Sequence, residues 1–216
     1  MSVMRLKLAR GEALRSLSRQ AFMALVRDAA SRAELPVAHD NGSRPRVTAG
    51  PPLSLGLTSR CEYLDFVLCA PIGAREFGRR LDTQLPEGAR VLWQRRLSGH
   101  IRNPMASIGA FLYTVVADVS REDAAKFNRA KTWPYTRVRE KGIQEMDIKR
   151  NVANLTVGPG KVTFKIEMGN QGTPKAREVM ASVFGLTPGE AEKLPIERTA
   201  ARFNRSPSVH LNREQE

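Results

Sequence analysis

The side chains here whose types and spacing could do chemistry are mostly cationic, and the chemistry they suit is the grip of a polyanion. Arg5 and Lys7 alternate with apolar residues in Met4-Arg5-Leu6-Lys7-Leu8. Arg44 and Arg46 flank a proline in the turn-rich loop Asn41-Gly42-Ser43-Arg44-Pro45-Arg46. Arg137, Arg139, Lys149 and Arg150 fall, with Lys141, on neighbouring predicted strands. Guanidinium forks and loop N–H groups suit phosphate or carboxylate. If Met4, Leu6 and Leu8 face a core, Arg5 and Lys7 face the other side of the sheet. The same parity turns Leu64, Phe66 and Leu68 inward and leaves Tyr63 and Asp65 beside Arg5 and Lys7. Arg46 and Thr48 join them if Val47 and Ala49 are buried. A basic sheet face with an aromatic suits single-stranded RNA, charge serving the backbone and stacking the bases. One tyrosine is few for such a face, and a second reading packs Tyr63 in a seam against the other half of the chain. The loop also reads as a solvated turn, and the Arg137 group as a sheet edge guarded by charge.

Composition points the same way. The 216 residues carry 35 Lys and Arg against 22 Asp and Glu, a net charge of +13. The isoelectric point near 10.5 lies above the value of about 9 at which a nucleic-acid partner is the first reading. An arginine-rich solvated surface is the other. Hydrophobic residues make up 41%, enough for a folded core in one large domain or two small ones. Cys61 and Cys69 lie at the two ends of one predicted strand. At about 3.3 Å per residue they stand roughly 26 Å apart, beyond disulfide reach. With no disulfide framework, leader or long apolar run, a cytoplasmic protein without a membrane partner is expected. His39, His100 and His210 are scattered, so neither metal nor cofactor is expected.

The elements that must position these residues repeat. A strand at Met4–Leu8 precedes a helix capped by Ser18, with Phe22, Leu25, Val26, Ala29 and Ala33 on one face. Strands Arg46–Ala49 and Glu62–Leu68, helix Ala74–Leu85 and strand Arg90–Leu97 follow. After Gly99–Pro104 the pattern resumes: strand Ile108–Asp118, a helix capped by Ser120, strands Tyr135–Glu140 and Asp147–Val157, and a turn at Pro159-Gly160. Lys161–Met168 alternates, with Val162, Phe164, Ile166 and Met168 inward. Helices begin at Thr173-Pro174 and Thr187-Pro188, Gly185 closing the first. Glu197–Phe203 reads as a last edge strand. The fold class is α+β: two ferredoxin-like α/β-sandwich halves, β-α-β-β-α-β repeated, the second elaborated by an extra hairpin. The expected divisions are an N-terminal half at 1–98, a linker at 99–104, a C-terminal half at 105–203 and a flexible tail at 204–216.

The segment from Arg44 to Leu68, RPRVTAGPPLSLGLTSRCEYLDFVL, resembles the radical-SAM-linked protein family, small proteins found beside or fused to radical S-adenosylmethionine enzymes. That family carries x-L-S-F-x-P-P-L-P-L-G followed by E-Y-L-D at this point. Lys141-Gly142 with Asp147-Ile148-Lys149 is similar to its K-G and D-I-R segment, and Gly172-Thr173-Pro174 with Glu178-Val179 to its G-x-x-R-P-x-E-V. The chain departs from it at the first helix, where Ser16-Leu17-Ser18-Arg19-Gln20-Ala21 stands for F-L-S-H-L-D. It departs again at His39–Pro45, which stands for S-Q-G-F-N-P-H-P. The resemblance implies a radical-SAM enzyme as partner, and the lost histidines imply a retained scaffold or a changed ligand.

No phosphate-binding glycine loop, Ser/Cys-His arrangement or radical-SAM cysteine motif is present. Asp65 and Asp147 are the carboxylates that could act in an RNA-modifying enzyme of pseudouridine-synthase-like architecture, whose diagnostic aspartate loop is not visible. The sequence therefore weighs against independent catalysis. It favours a non-catalytic accessory protein that presents RNA to a radical-SAM enzyme, with a protein–protein adaptor as the alternative.

Overall fold

The computed structural model describes residues 2–139, 142–169 and 172–204. The first half comprises β1 (Ser2–Arg10), α1 (Arg19–Arg32), β2 (Val47–Ala49), β3 (Thr58–Leu68), α2 (Ala74–Asp82) and β4 (Ala89–Ser98). The short α3 (Pro104–Ser107) leads into β5 (Ile108–Val116), α4 (Arg121–Arg129), β6 (Pro134–Arg139), β7 (Gly142–Asp147), β8 (Val152–Gly158) and β9 (Lys161–Glu167). The second half ends with α5 (Ala176–Phe184), α6 (Pro188–Lys193) and β10 (Ile196–Phe203).

Local chemistry sets these elements. The Ser18 hydroxyl accepts from the Ala21 amide at 3.1 Å and starts α1, a cap that stabilises a helix by about 1 kcal/mol. The helix lays Phe22, Met23, Val26, Ala29 and Ala30 against the sheet. Alternation in β1 buries Met4, Leu6 and Leu8 completely. Gly185 closes α5 at a φ of 64°, in the left-handed region a side chain resists.

Within the first half the strand order is β4-β1-β3, with β2 beside β3, and all pairs are antiparallel. Within the second it is β10-β5-β9-β8, again antiparallel throughout. Both are the order of a β-α-β-β-α-β unit. The β6–β7 hairpin is an insertion between α4 and β8 with its own two-stranded sheet. The halves fuse into one eight-stranded sheet through β10, which runs parallel to β3 at Glu197–Thr58 and Arg198–Ser59. Because β2 pairs only with Leu64–Phe66, the start of the same β3 edge is left for β10.

Directly opposed residues share a face of a sheet, so the register shows where the helices sit. Arg10 and Arg198 both pair with Ser59, and Arg198 also pairs with Tyr113. Arg10 lies over the Phe22 ring of α1, and Tyr113 stacks on Phe164 in the core beneath α4 and α5. The helices of both halves therefore cover one face and leave the other largely open. At the joint, the Arg198 guanidinium is ion-paired with Glu62 and donates to the carbonyls of Pro51 and Pro52 at 3.2 Å each.

The α+β class is as read; three details differ. Strand β10 is central rather than an edge, because its outer side carries β5 and its start reaches β3. The span Asp147–Val157 is not one strand. Asp147 Oδ1 accepts from the amides of Trp133 and Lys149 at 2.7 and 3.0 Å, and this turns the chain through Ile148–Arg150 before β8. Met168 lies past the end of β9 and is 39% exposed, unlike Val162, Phe164 and Ile166. The predicted tail beyond Asn204 lies outside the described residues, as does Lys141.

Removing one partner of the Arg198–Glu62 pair leaves the other charge buried. Arg198→Ala and Glu62→Ala are each expected to lower the free energy of unfolding by about 3–5 kcal/mol, read by urea denaturation. A loss below about 1 kcal/mol, the scale of a surface pair, would show that water reaches the joint.

Candidate nucleic-acid interface

The helix-free face of the first half presents two rows across its strands. Trp93 of β4, Lys7 of β1 and Tyr63 of β3 are directly opposed in one; Arg95, Arg5, Asp65 and Thr48 form the next. Arg5, Lys7, Tyr63 and Asp65 thus share the face that alternation assigns them. Arg46 extends it beside Val67, whose amide donates to the Arg46 carbonyl at 3.1 Å.

Arg5 is held firmly. Its Nε and Nη2 each donate to Asp65 at 2.7 Å, and Nη2 also donates to the Arg102 carbonyl at 2.7 Å. The connector after β4 therefore laps over this end of the face. Tyr63 meets Phe203 of β10 edge to face at 4.8 Å, within the apolar group of Cys61, Ile108 and Phe111. It stands in the seam between the halves, and burial raises its phenol pKa, with Cys61 adding to the rise and Arg5 opposing it. What remains accessible is Lys7, Arg95 and Trp93, the indole being 40% exposed.

Sequence reasoning missed Trp93. The strand was legible, but its facing depends on the register shift between Lys7 and Leu8 against β4. The signal available was alternation alone: Trp93, Arg95 and Leu97 fall on one side of an ideal strand.

In the loop, Asp40 Oδ1 accepts from the amides of Gly42 and Arg44 at 3.0 Å each. Those bonds, Arg44 first, hold the Asp40 carboxyl below its ordinary range. The backbone donors expected to receive an anion are thus already occupied, and the loop's contribution is the exposed side chains of Arg44 and Arg46.

Among the described residues, the members of the second basic group do not converge on one surface. Arg137 is 6% exposed and makes a two-pronged pair with Glu178, adding a bond to the Thr173 carbonyl at 3.0 Å. The expectation of an exposed edge arginine is corrected by that carboxylate, which α5 brings from 41 residues away. Lys149 caps the end of α4 through the carbonyls of Phe127 and Asn128 at 2.8 and 3.0 Å. Arg150 is exposed beside Asp147 at 3.6 Å, and the side chain of Arg139 lies outside the described residues.

The candidate acids are similarly engaged, Asp65 by Arg5 and Asp147 by the turn it caps. Among the described residues no group of three His, Cys, Asp or Glu side chains could hold a metal ion. No helix among them is long and apolar enough to cross a membrane.

The fold defines an α+β protein built on two fused β-α-β-β-α-β units, with one side of the sheet not covered by helices. Residues 4–178 match DUF2344, an uncharacterized protein family conserved in bacteria, and the chain belongs to it. No curated protein matches. Among solved structures, a chain of a Cbf5-Nop10-Gar1 complex is similar at 9% identity and a TM-score of 0.44, covering 92% of this chain and 48% of that one. This chain spans about half the length of that relative. An unknown protein from Galdieria sulphuraria aligns at 14% identity and a TM-score of 0.28, over 95% of this chain and 100% of that one. At these scores neither likeness bears on activity.

The two thiols differ sharply. Burial pushes Cys61 up to about 11, partly offset by Arg198, whereas Cys69 is exposed. A raised pKa keeps Cys61 protonated through neutral and mildly alkaline pH, and the thiolate is the reactive form. Titration of native protein with a thiol reagent at pH 8 should therefore count one group per chain, and two after denaturation. Two in the native state would contradict the buried position of Cys61.

Proposed function

We propose that this chain is a non-catalytic accessory protein that binds single-stranded RNA on the helix-free face of its first half-sheet. The observation that carries the reading is the Trp93–Lys7–Tyr63 row, with Arg95 beside it. An exposed indole on a strand offers a stacking plane to any base, and neighbouring cations track the phosphates. The net charge of +13 supports a polyanion partner. The enzyme that receives the RNA is, on the sequence resemblance alone, a radical-SAM enzyme.

A protein-only adaptor is the second reading, and one observation favours it. Val138 and Ile143, directly paired on the inserted hairpin, are 77% and 71% exposed, as an apolar contact for a protein would be.

Filter binding of a single-stranded RNA over a range of salt separates the readings. Affinity should fall steeply with salt, by about 0.7 log units per log unit for each phosphate neutralised. Trp93→Ala should lower affinity about tenfold or more, since stacking contributes roughly 1–3 kcal/mol per base. Lys7→Ala with Arg95→Ala should flatten the salt slope by about 1.4. The fold should be unchanged in each, because these side chains lie at the surface. Wild-type affinity in the Trp93 variant would move the site, and no binding at low salt would leave the adaptor.

A further inference from the structure

A groove of about 860 Å³ lies between α1 and β2, within the size range of small-ligand sites. Its lining holds three guanidinium groups, from Arg19, Arg27 and Arg44, against the single carboxylate of Asp28. Met23, Val47 and Ala49 supply an apolar surface, and the 45%-exposed Met105 stands at its rim.

Two of the arginines are pre-positioned by the backbone. Arg19 Nη1 donates to the Gly50 carbonyl at 2.9 Å. Arg27 donates to the carbonyls of Pro45 and Val47 at 3.3 and 3.5 Å. These bonds cover the unpaired edge of β2, which by itself accounts for both residues as guards of a sheet edge. It does not account for Arg44. That side chain makes no hydrogen bond or salt bridge among the described residues, although its charge and that of Arg27 act on the nearby Asp40 carboxylate; it is exposed and adjoins Pro45, the residue Arg27 holds. Nor does an edge guard require exposed methionine beside a cationic cluster.

We propose that this groove binds a nucleotide, with its phosphate between Arg27 and Arg44 and its base against Met23, Val47 and Met105. Guanidinium groups receive phosphate as paired, charge-assisted donors, and a thioether is a polarizable surface for an aromatic ring. Gln20 and Asn103, also in the lining, can bond the base edge. The nucleotide is either free or the phosphorylated end of an RNA chain. The proposal goes beyond the sheet-face reading and does not depend on it.

Calorimetric titration of the full chain with AMP, GMP, adenosine and inorganic phosphate tests it. A nucleoside monophosphate should saturate one site per chain, with adenosine and phosphate each at least about tenfold weaker, since each lacks one half of the contact. Arg44→Glu should weaken AMP and GMP about tenfold or more, whereas Trp93→Ala should leave them unchanged. That last comparison keeps failure of the groove apart from failure of the sheet face. A 5′-phosphorylated oligonucleotide binding more tightly than its 5′-hydroxyl form, with the difference lost in Arg44→Glu, assigns the groove to an RNA end; equal binding of the two assigns it to a free nucleotide. Absence of saturable AMP and GMP binding at millimolar concentration, or phosphate alone binding as well as AMP, overturns the proposal. So does wild-type nucleotide affinity in Arg44→Glu.

Discussion

The structure depends on how a net positive charge is buried where two sheets meet. Arg10 and Arg198 are 2% and 1% exposed, and Glu62 is the carboxylate that faces them. Burial pulls both guanidinium pKa values down; at Arg198 the attraction and hydrogen bond of Glu62, together with Tyr113 and Cys61, more than restore it. The remaining positive charge is met by main-chain carbonyls: Leu14 and Leu17 for Arg10, Pro51 and Pro52 for Arg198. Arg198 also lies over the Phe111 ring at 4.0 Å. Arg198 Nε has no hydrogen-bond partner among the described residues, so the arrangement is not optimal for stability. Buried ion pairs often contribute less than apolar packing of the same volume. Their attested use is to specify register, and register is the weak point here, because β3 and β10 share only two paired positions.

That joint decides which surfaces are open. With the helices of both halves on one face, the cores around α1/α2 and around α4/α5 stay separate, and the charged cluster stands between them. The opposite face is left to cross-strand pairs, the connector after β4 and the aromatic plug of Tyr63 and Phe203. An exposed Trp93 and the cations beside it therefore follow from topology: a half-sheet covered on one side must end in side chains on the other. Strand β4 is an edge, and its Arg90, Arg95 and Arg96 discourage pairing with a second copy.

Much of this was legible from alternation. The facing of Arg5, Lys7, Tyr63 and Asp65 follows from the apolar period of β1 and β3, and the caps at Ser18 and Gly185 follow from local chemistry. The joint was not legible. Glu197-Arg198-Thr199-Ala200-Ala201-Arg202-Phe203 lacks the apolar run of a central strand, so it reads as an edge, and the partner of Arg198 lies 136 residues earlier. Arg137 failed for the same reason. An arginine is exposed by default, and only the tertiary fold brings Glu178 to it. Bulges are the other blind spot: shifts in β1 against β3 and β4 change the facing of Ser59 and Trp93 without a sequence mark.

The proline pair shows what the family-like motif does and what it does not. Leu53 and Leu57 of Pro51-Pro52-Leu53-Ser54-Leu55-Gly56-Leu57 cross into the core of the second half, while the two proline carbonyls receive Arg198. Gly56 has a φ of 76°, and a Cβ there would meet Arg177 Nη2 at 2.5 Å. Arg177 in turn donates to the Leu55 carbonyl at 2.6 Å and ties α5 to this loop. The Pro51-to-Leu57 part of the motif thus serves the joint. The departures from the family pattern fall elsewhere. Arg19, Gln20 and Arg44 all lie in segments where this chain differs from that pattern, and all three line the groove beside α1. The joint and the groove thus draw on different stretches of the chain, so that substitutions in one leave the residues of the other in place.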